Sequence, residues 1–165
     1  MTFKMNKLLI ALLPLLFSFC HEEEQYVPEY QKISETTTHF YNLPDSIDIT
    51  FKGDTLFIIN TIGEWESLTS KLYCPEINGL DTTDFNNRSI LLHLEKNYYS
   101  IDDIKAVLYK SNKKSSYYKI DFSYYQKGDY LPYPKKRATA IIPPTKIDSD
   151  SQIEVWIGVF YMLEE

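Results

Sequence analysis

The sequence has 165 residues, of which 44% are hydrophobic, and its formal net charge is −6. This length and apolar content suffice for one globular domain with a hydrophobic core. An acidic chain without a basic stripe argues against binding to nucleic acid and against electrostatic adhesion to anionic lipid.

The first 19 residues have the three parts of an export signal. Lys4 and Lys7 form a positive region, and an uncharged apolar run extends from Leu8 to Phe19. As a helix, this run would be about 18 Å long, which is too short to cross a hydrocarbon core of about 30 Å. Pro14 interrupts the run and no polar face accompanies it, which argues against a buried core helix.

The apolar run ends at Cys20, and the acidic tract HEEE follows it at 21–24. A cysteine in this position resembles the lipobox of bacterial lipoproteins, in which the thiol is acylated and becomes the first residue of the mature chain. Phe19 departs from that pattern, because a small residue normally precedes the cleavage site. The resemblance implies an anchor of two or three acyl chains, which is sufficient for stable attachment to the outer membrane. The acidic tract resembles the surface-export signal of Bacteroidetes lipoproteins, and an ordinary solvated linker is the alternative.

Cleavage before Cys20 removes 19 residues, including Lys4 and Lys7, and so leaves 146 residues with a net charge of −8. Cys74 is the second of the two cysteines. If Cys20 is acylated, no intramolecular disulfide can form, whereas an unacylated Cys20 could pair with Cys74. We interpret Cys74 as a small buried hydrophobic residue, because a catalytic thiol needs a positioned histidine and a lowered pKa, and the sequence indicates neither.

Residues 20–45 are polar, rich in threonine and without sustained periodicity. They are predicted to form a tether between the lipid and a single β-rich domain at 46–165. At the start of that domain, apolar residues alternate with polar ones over 46–52, as in a half-buried strand. Gly53-Asp54 fits a two-residue hairpin turn, and Thr55–Asn60 is predicted to return as the partner strand.

A short helix is predicted over residues 64–73. Thr61 and Glu64 have the spacing of a capping box. Apolar residues at positions i, i+3 and i+7 lie on one face of this helix: Trp65, Leu68 and Leu72.

A loop at 74–87 separates the helix from five further predicted strands. These are Ser89–Glu95, Ile104–Lys110, Tyr117–Tyr125, Ala138–Ile142 and Gln152–Met162. Asn112–Ser115 is predicted to be a hairpin turn. The last strand is apolar on both faces, which indicates a central or covered strand. Together the elements predict an α+β domain, predominantly antiparallel β-sheet with one short helix packed on it.

The histidines do not form a metal-binding pattern. His21 and His39 lie in the predicted tether, and His93 alternates with two leucines, which predicts a solvent-exposed strand histidine. Acidic residues at 148–154 loosely resemble a calcium loop, but the central glycine and the closing bidentate glutamate are missing. We therefore predict no metal and no cofactor.

No catalytic motif occurs in the sequence: there is no G-x-S-x-G, Walker loop, Gly-rich dinucleotide turn or HExxH. Asp81 and Asp84 could be imagined as paired carboxylates for glycoside hydrolysis, but such pairs depend on a three-dimensional separation that the sequence does not supply. The chain is predicted to be a non-enzyme.

A tyrosine-rich segment is the candidate ligand-contact surface, and it contains Tyr124, Tyr125, Tyr130 and Tyr133 together with two prolines. Tyrosine offers rigid amphipathic contact area, and proline reduces the entropy lost on ordering. Such a surface could stack on sugars or grip a peptide. The alternative is that some of these rings cap the end of the sheet.

Four elements follow one another in a characteristic order: the strand FIIN at 57–60, the helix opening at Glu64-Trp65, the loop closing on Asp84-Phe85, and the apolar strand SILLHLE at 89–95. This order resembles the PrcB-like domain of bacterial lipoproteins, which is named for a subunit associated with a protease complex. The resemblance covers roughly residues 57–143, and residues 97–100 depart from the Gly-rich stretch expected there. Trp65 and Phe85 are expected to be core residues whether or not the resemblance holds. They therefore do not transfer a functional role from the family to this chain. The resemblance implies a protein that stabilises or modulates an exported partner.

We rank three alternative functions for this chain. The first is interaction with another envelope protein, the second is glycan binding through the tyrosine-rich segment, and the third is an enzyme of unrecognised type.

Overall fold

The computed structural model describes residues 29–45, 55–72, 77, 80, 83–126 and 131–161. Within these ranges the chain forms eight β-strands and one α-helix. The strands are β1 (Tyr30–Lys32), β2 (Thr37–Asn42), β3 (Thr55–Ile59), β4 (Ile90–Asn97), β5 (Ile101–Ser111), β6 (Tyr117–Gln126), β7 (Lys135–Ile142) and β8 (Gln152–Tyr161), and the helix α1 is Ile62–Leu72.

The strands form two four-stranded sheets. Sheet A has the order β1-β5-β6-β8, and sheet B has the order β2-β7-β4-β3. All neighbouring strands are antiparallel except β6 and β8, which run parallel. The predicted α+β class, dominated by antiparallel sheet with one short helix, is confirmed.

Sheet B is the middle layer of three, with α1 on one face and sheet A on the other. Successive side chains of a strand point to opposite faces of its sheet. In β4, Leu92 packs in the cluster that contains Trp65 of α1. Its neighbour Leu91 packs instead in the cluster that contains Ile120 of sheet A. Strand β4 is therefore covered on both faces, which explains its nearly continuous apolar sequence.

The start of α1 is held by the predicted capping box. The amide of Glu64 donates to the Thr61 hydroxyl oxygen at 3.2 Å, and the Glu64 carboxylate accepts from the amides of Thr61 at 3.1 Å and Asn60 at 2.8 Å. These bonds satisfy amides that the helix itself leaves without partners. The amide of Asn60 contributes most to lowering the pKa of the Glu64 carboxyl. The predicted helix is confirmed, with Trp65 and Leu72 buried.

A buried hydrogen-bonded cluster joins the beginning of α1 to the beginning of β4. The Asn60 side-chain amide donates to the Ile147 carbonyl at 2.9 Å, and the Ser89 hydroxyl donates to the Asn60 side-chain oxygen at 2.5 Å. The Ile147 amide in turn donates to the Ser89 hydroxyl oxygen at 2.8 Å. Because these polar groups satisfy one another, their burial does not leave them without hydrogen bonds.

The strands predicted after residue 88 are confirmed as β4 to β8, and the predicted turn at Asn112–Ser115 joins β5 to β6. The strand predicted from Thr55 is β3. The predicted strand at 46–52 and the hairpin turn at Gly53-Asp54 lie outside the described residues. Most of the predicted loop at 74–87 also lies outside them.

The predicted tether at 20–45 is wrong for residues 29–45. Strand β1 pairs with β5, and β2 pairs with β7 along all six of its residues. Ile33 and Phe40 pack between the two sheets, and Glu35 takes a positive φ of 64° in the turn between β1 and β2. These strands show no sustained periodicity because only a few residues of each are apolar, and main-chain hydrogen bonds hold the rest.

The prediction that the last strand is central or covered is also wrong. In the part of the chain that the structure describes, β8 pairs only with β6 and lies at the edge of sheet A. Its inner residues Val155 and Val159 face the core, but its outer residues Trp156 and Phe160 are 57% and 50% exposed. Apolar residues on both faces of this strand therefore do not mean that both faces are covered.

Candidate functional site

The tyrosine-rich segment does not form the single surface that we predicted. Tyr124 and Tyr125 are consecutive residues of β6, so they point to opposite faces of sheet A. Tyr124 is 1% exposed and belongs to the core, whereas Tyr125 lies on the outer face. Tyr133 is 77% exposed in the connection between β6 and β7, and Tyr130 lies outside the described residues. Tyr124 is therefore a structural residue, but it packs between the two sheets and does not cap the end of the sheet, as the alternative prediction had it.

The outer face of sheet A carries a group of aromatic side chains that the sequence analysis did not identify as a site. We call this surface the aromatic face and define it by Tyr109, Tyr125, Trp156 and Phe160. Strand register places Phe160 beside Tyr125, and their rings stack with centroids 5.7 Å apart at 27°. Exposed apolar groups that lie together in one patch mark an interaction site more often than singly scattered ones do. The sequence does contain a signal for this surface, namely Trp156 and Phe160 on one side of β8. The sequence pattern predicts that this strand is central or covered, and so does not identify the pair as exposed.

Lysine side chains lie against the rings of the aromatic face. The Lys119 ammonium is 5.2 Å from the ring centres of both Tyr109 and Trp156, and that of Lys105 is 4.8 Å from the ring centre of Tyr125. Cation–π contacts of this kind hold a ring in place while leaving one of its faces accessible. Lys119 also forms an ion pair with Asp121 at 3.0 Å, so much of the positive charge is balanced locally.

A shallow groove of about 320 Å³ crosses β6 and β8 between Trp156 and Phe160. Its remaining lining residues are Lys119, Asp121, Phe122, Ser123, Ile157 and Gly158. Gly158 and Ser123 are register partners, and neither has a large side chain to fill the space between the two rings. This volume is at the lower end of the range for small-molecule sites. The groove can therefore accept a flat or narrow group between two aromatic walls.

Gly158 also determines where the Phe160 ring lies. A Cβ atom built on Gly158 would be 3.0 Å from Cε2 and 3.2 Å from Cζ of Phe160. The ring thus occupies the volume that any other side chain at position 158 would need. A larger residue there would push the ring away and change the wall of the groove.

A second concentration of polar residues lies between the two sheets. We call it the buried polar cluster, and its members are His93, Glu95, Tyr124, Gln126, Arg137 and Thr139, all 3% exposed or less. His93 was predicted to be solvent-exposed, and this prediction is wrong. Sheet A covers the face of β4 on which His93 lies, and the imidazole stacks on Phe122 with centroids 4.7 Å apart.

Hydrogen bonds tie the buried polar cluster to both sheets. The Tyr124 hydroxyl donates to the Glu95 carboxylate at 2.5 Å, and Glu95 is the register partner of Arg137. The Arg137 guanidinium donates to the side-chain oxygen of Asn97 and, at 2.6 Å, to the Tyr99 carbonyl. Burial lowers the pKa of Arg137, and the nearby Glu95 and Tyr124 offset part of that effect. Because these side chains have almost no exposed surface, a substrate cannot reach them in this conformation.

The Asp84 carboxylate stabilises a local turn. It accepts hydrogen bonds from the Asn86 amide at 3.1 Å and from the Asn87 side-chain amide at 2.7 Å. The Asn87 bond is the main reason why the pKa of Asp84 lies below its ordinary value. Phe85 packs against the core beside α1, as predicted. Asp81, the other carboxylate of the pair considered for glycoside hydrolysis, lies outside the described residues.

Two further features concern ligands and membranes. Within the described ranges, no three His, Cys, Asp or Glu side chains come together in a group that could hold a metal ion. The same residues include no helix of the length and apolar character needed to span a membrane. Cys20, Cys74 and His21 lie outside those ranges.

Comparisons of this chain with protein-family models, with curated proteins and with solved structures give no match. The resemblance to the PrcB-like domain therefore stays a prediction, as does the lipid anchor at Cys20.

Proposed function

We propose that this chain is an exported, lipid-anchored and non-catalytic binding module whose ligand contacts the aromatic face. The observation that carries the proposal is the exposure of Trp156 and Phe160 on the outer face of β8, on either side of Gly158. Exposing large aromatic groups to water costs free energy that their burial by a ligand would recover. Sites built on strands also hold their side chains more precisely than sites on loops.

We propose another protein of the cell envelope as the partner. Tryptophan and tyrosine are enriched at the centres of protein interfaces, where they supply much of the binding energy. An acyl anchor at Cys20 would keep the domain at the outer membrane, and it would raise the effective concentration of any partner held there. A stabilising or modulating role toward that partner agrees with the family resemblance.

The absence of catalysis is part of the proposal. The buried polar cluster holds a histidine, a carboxylate and a guanidinium close together, but each of its residues is 3% exposed or less. The groove on the aromatic face has one ion pair, Lys119 with Asp121, and one hydroxyl, that of Ser123. No described histidine lines the groove, and the carboxylate nearest Ser123 in the strand, that of Asp121, is held in the ion pair with Lys119.

Glycan binding is the second candidate function, and the groove favours it. Trp156 and Phe160 form aromatic walls, and Ser123 and Asp121 provide hydrogen-bonding groups between them. Aromatic rings pack against the apolar face of a sugar while neighbouring polar groups bind its hydroxyls. In this second candidate function, the glycan would bind at the aromatic face, whereas the sequence pattern predicted that it would bind at the tyrosine-rich segment.

The test is cross-linking of the tagged full-length chain in its native host, followed by mass spectrometry of the captured molecules. We expect one abundant envelope protein, whose yield falls at least tenfold for Trp156→Ala and Phe160→Ala. Tyr133→Ala is the matched control, because Tyr133 is exposed but does not line the groove. Equal capture by all three variants would refute the assignment of the aromatic face. Retention on polysaccharide that is lost only with Trp156→Ala and Phe160→Ala would favour the glycan role.

The anchor has its own test. Cys20→Ala should abolish incorporation of labelled palmitate and release the protein from the membrane fraction. Persistence of the label in this variant would contradict lipidation at Cys20.

A further inference from the structure

The exposed apolar residues of β8 lie on both faces of the strand. Trp156 and Phe160 point to the outer face, whereas Ile157 and Tyr161 alternate with them and point to the inner face. Ile157 is 39% exposed and Tyr161 is 67% exposed, although Val155 and Val159 on the same inner face pack against the core. Sheet B therefore covers the inner face of β8 only in part.

In the described part of the chain, the main chain of β8 also presents an open edge. Among the described residues, this ten-residue strand pairs only with β6, so one side of its backbone has no neighbouring strand. Proteins usually protect such edges with proline, lysine, a bulge or a very short strand. Strand β8 is long, has no proline and no lysine, and pairs with β6 in continuous register.

We propose that β8 accepts an extended segment of a partner protein, which adds to sheet A as a fifth strand. This inference rests on the proposed function and names the form of its ligand. An added strand would cover the exposed parts of both faces of β8 and would bond to the backbone groups of its open edge. A ligand that lay only on the aromatic face would leave Ile157 and Tyr161 in water.

The charge pattern of β8 indicates the sequence of the partner segment. Glu154 is the one charged residue of the strand, and the six residues from Trp156 to Tyr161 are uncharged. We expect a partner segment with a basic residue opposite Glu154 and with apolar residues on both of its faces opposite Trp156–Tyr161. A second copy of β8 would match this charge pattern less well than such a partner segment. A parallel copy in register would place Glu154 opposite Glu154, and an antiparallel copy centred on Ile157 would place Glu154 opposite Phe160.

The experiment uses a displayed library of random ten-residue peptides, selected against the mature protein. Variants on the two faces of β8 separate strand addition from binding to one face. Trp156→Lys changes the outer face and Ile157→Lys changes the inner face, and both residues are partly exposed, so the fold is expected to persist. Tyr133→Lys is the control for an added surface charge, and circular dichroism verifies the fold of each variant.

We expect the enriched peptides to have apolar runs with a basic residue, and to bind at least tenfold more weakly to both the Trp156→Lys and the Ile157→Lys variants. N-methylation of alternate peptide amides should abolish binding, because it removes the main-chain donors. Enrichment lost with Trp156→Lys but kept with Ile157→Lys would overturn strand addition and leave the aromatic face as the site. An absence of enrichment, or a concentration-dependent dimer that both substitutions disrupt, would also overturn it. Binding that neither variant affects would refute the proposed function as well.

Discussion

The Tyr124 hydroxyl donates a 2.5 Å hydrogen bond to the Glu95 carboxylate in the interior between the two sheets. This contact links β6 of sheet A to β4 of sheet B through two polar side chains that are each 1% exposed. A carboxylate placed there without a partner would carry a large desolvation cost. Tyr124 is therefore a structural residue, although its sequence neighbourhood had indicated a ligand surface.

Substitution of Tyr124 by Phe should lower the free energy of unfolding by about 2 kcal/mol. The change removes a hydrogen bond to a charged group and leaves a buried oxygen of Glu95 with one donor fewer. Tyr125→Phe is the matched control, since Tyr125 lies on the outer face, and it should change stability by less than about 0.5 kcal/mol. Urea denaturation followed by circular dichroism measures both. Equal effects of the two substitutions would contradict the burial of Tyr124.

Glu95 and Arg137 should behave as a coupled pair across β4 and β7. Removal of one member, as in Arg137→Met, should cost about 3 to 5 kcal/mol because it leaves a buried charge unbalanced. The double substitution Glu95→Leu with Arg137→Met should cost much less than the two single changes together, because no charge then remains buried. A double-mutant cycle from denaturation curves measures this coupling, and strictly additive effects would argue against it.

The capping box of α1 should make stability depend on acidic pH. Its hydrogen bonds lower the folded-state pKa of Glu64 below the value in the unfolded chain. The carboxylate therefore stabilises the fold above the ordinary glutamate pKa, and this contribution is lost as the pH falls through the lowered pKa. Glu64→Ala should cost about 1 kcal/mol at neutral pH.

Glu64→Gln is the informative comparison for that effect. Glutamine keeps a hydrogen-bond acceptor at this position but cannot titrate. The variant should lose the part of the acidic pH dependence that Glu64 causes while retaining much of the neutral-pH stability. An unchanged slope of unfolding free energy against pH would show that Glu64 does not contribute.

The two tryptophans should respond differently to a soluble quencher. Trp65 is 1% exposed under α1, whereas Trp156 is 57% exposed on the aromatic face. In the Trp65→Phe variant, acrylamide should quench nearly all of the remaining emission, which should be red-shifted. In the Trp156→Phe variant, the emission should be blue-shifted and quenched several-fold less. A ligand on the aromatic face should protect only Trp156, and similar quenching in both variants would contradict its exposure.

Phe40 tests the assignment of residues 29–45 to the folded domain. Its ring packs between the two sheets, so Phe40→Ala should lower the free energy of unfolding by about 2 kcal/mol. His39→Ala, at the neighbouring position on the other face of β2, should have a smaller effect. A tether would tolerate both substitutions, so a Phe40→Ala variant as stable as the natural chain would restore the tether interpretation.

Local sequence patterns predicted the helix and most of the strands of this protein. The capping spacing of Thr61 with Glu64 specified where α1 begins, because both residues act within one turn of the chain. Alternation specified β6, because its period of two places Tyr118, Ile120 and Phe122 on one face whatever lies above them. Such signals depend only on residues that are close in the sequence, so they can be interpreted without knowledge of the tertiary structure.

Which faces of the strands are covered could be identified only from the arrangement of the two sheets. Alternation placed His93 opposite its leucine neighbours, but sheet A then buried that second face of β4. The opposite error occurred for β8. Its apolar residues on both faces predicted a covered strand, but β8 lies at an open edge of the described sheet. Strand order and the stacking of sheets depend on contacts between residues far apart in sequence, such as Tyr117–Gln126 beside Gln152–Tyr161. No local pattern encodes those contacts, and they alone determine that Tyr124 is buried and that Trp156 is exposed.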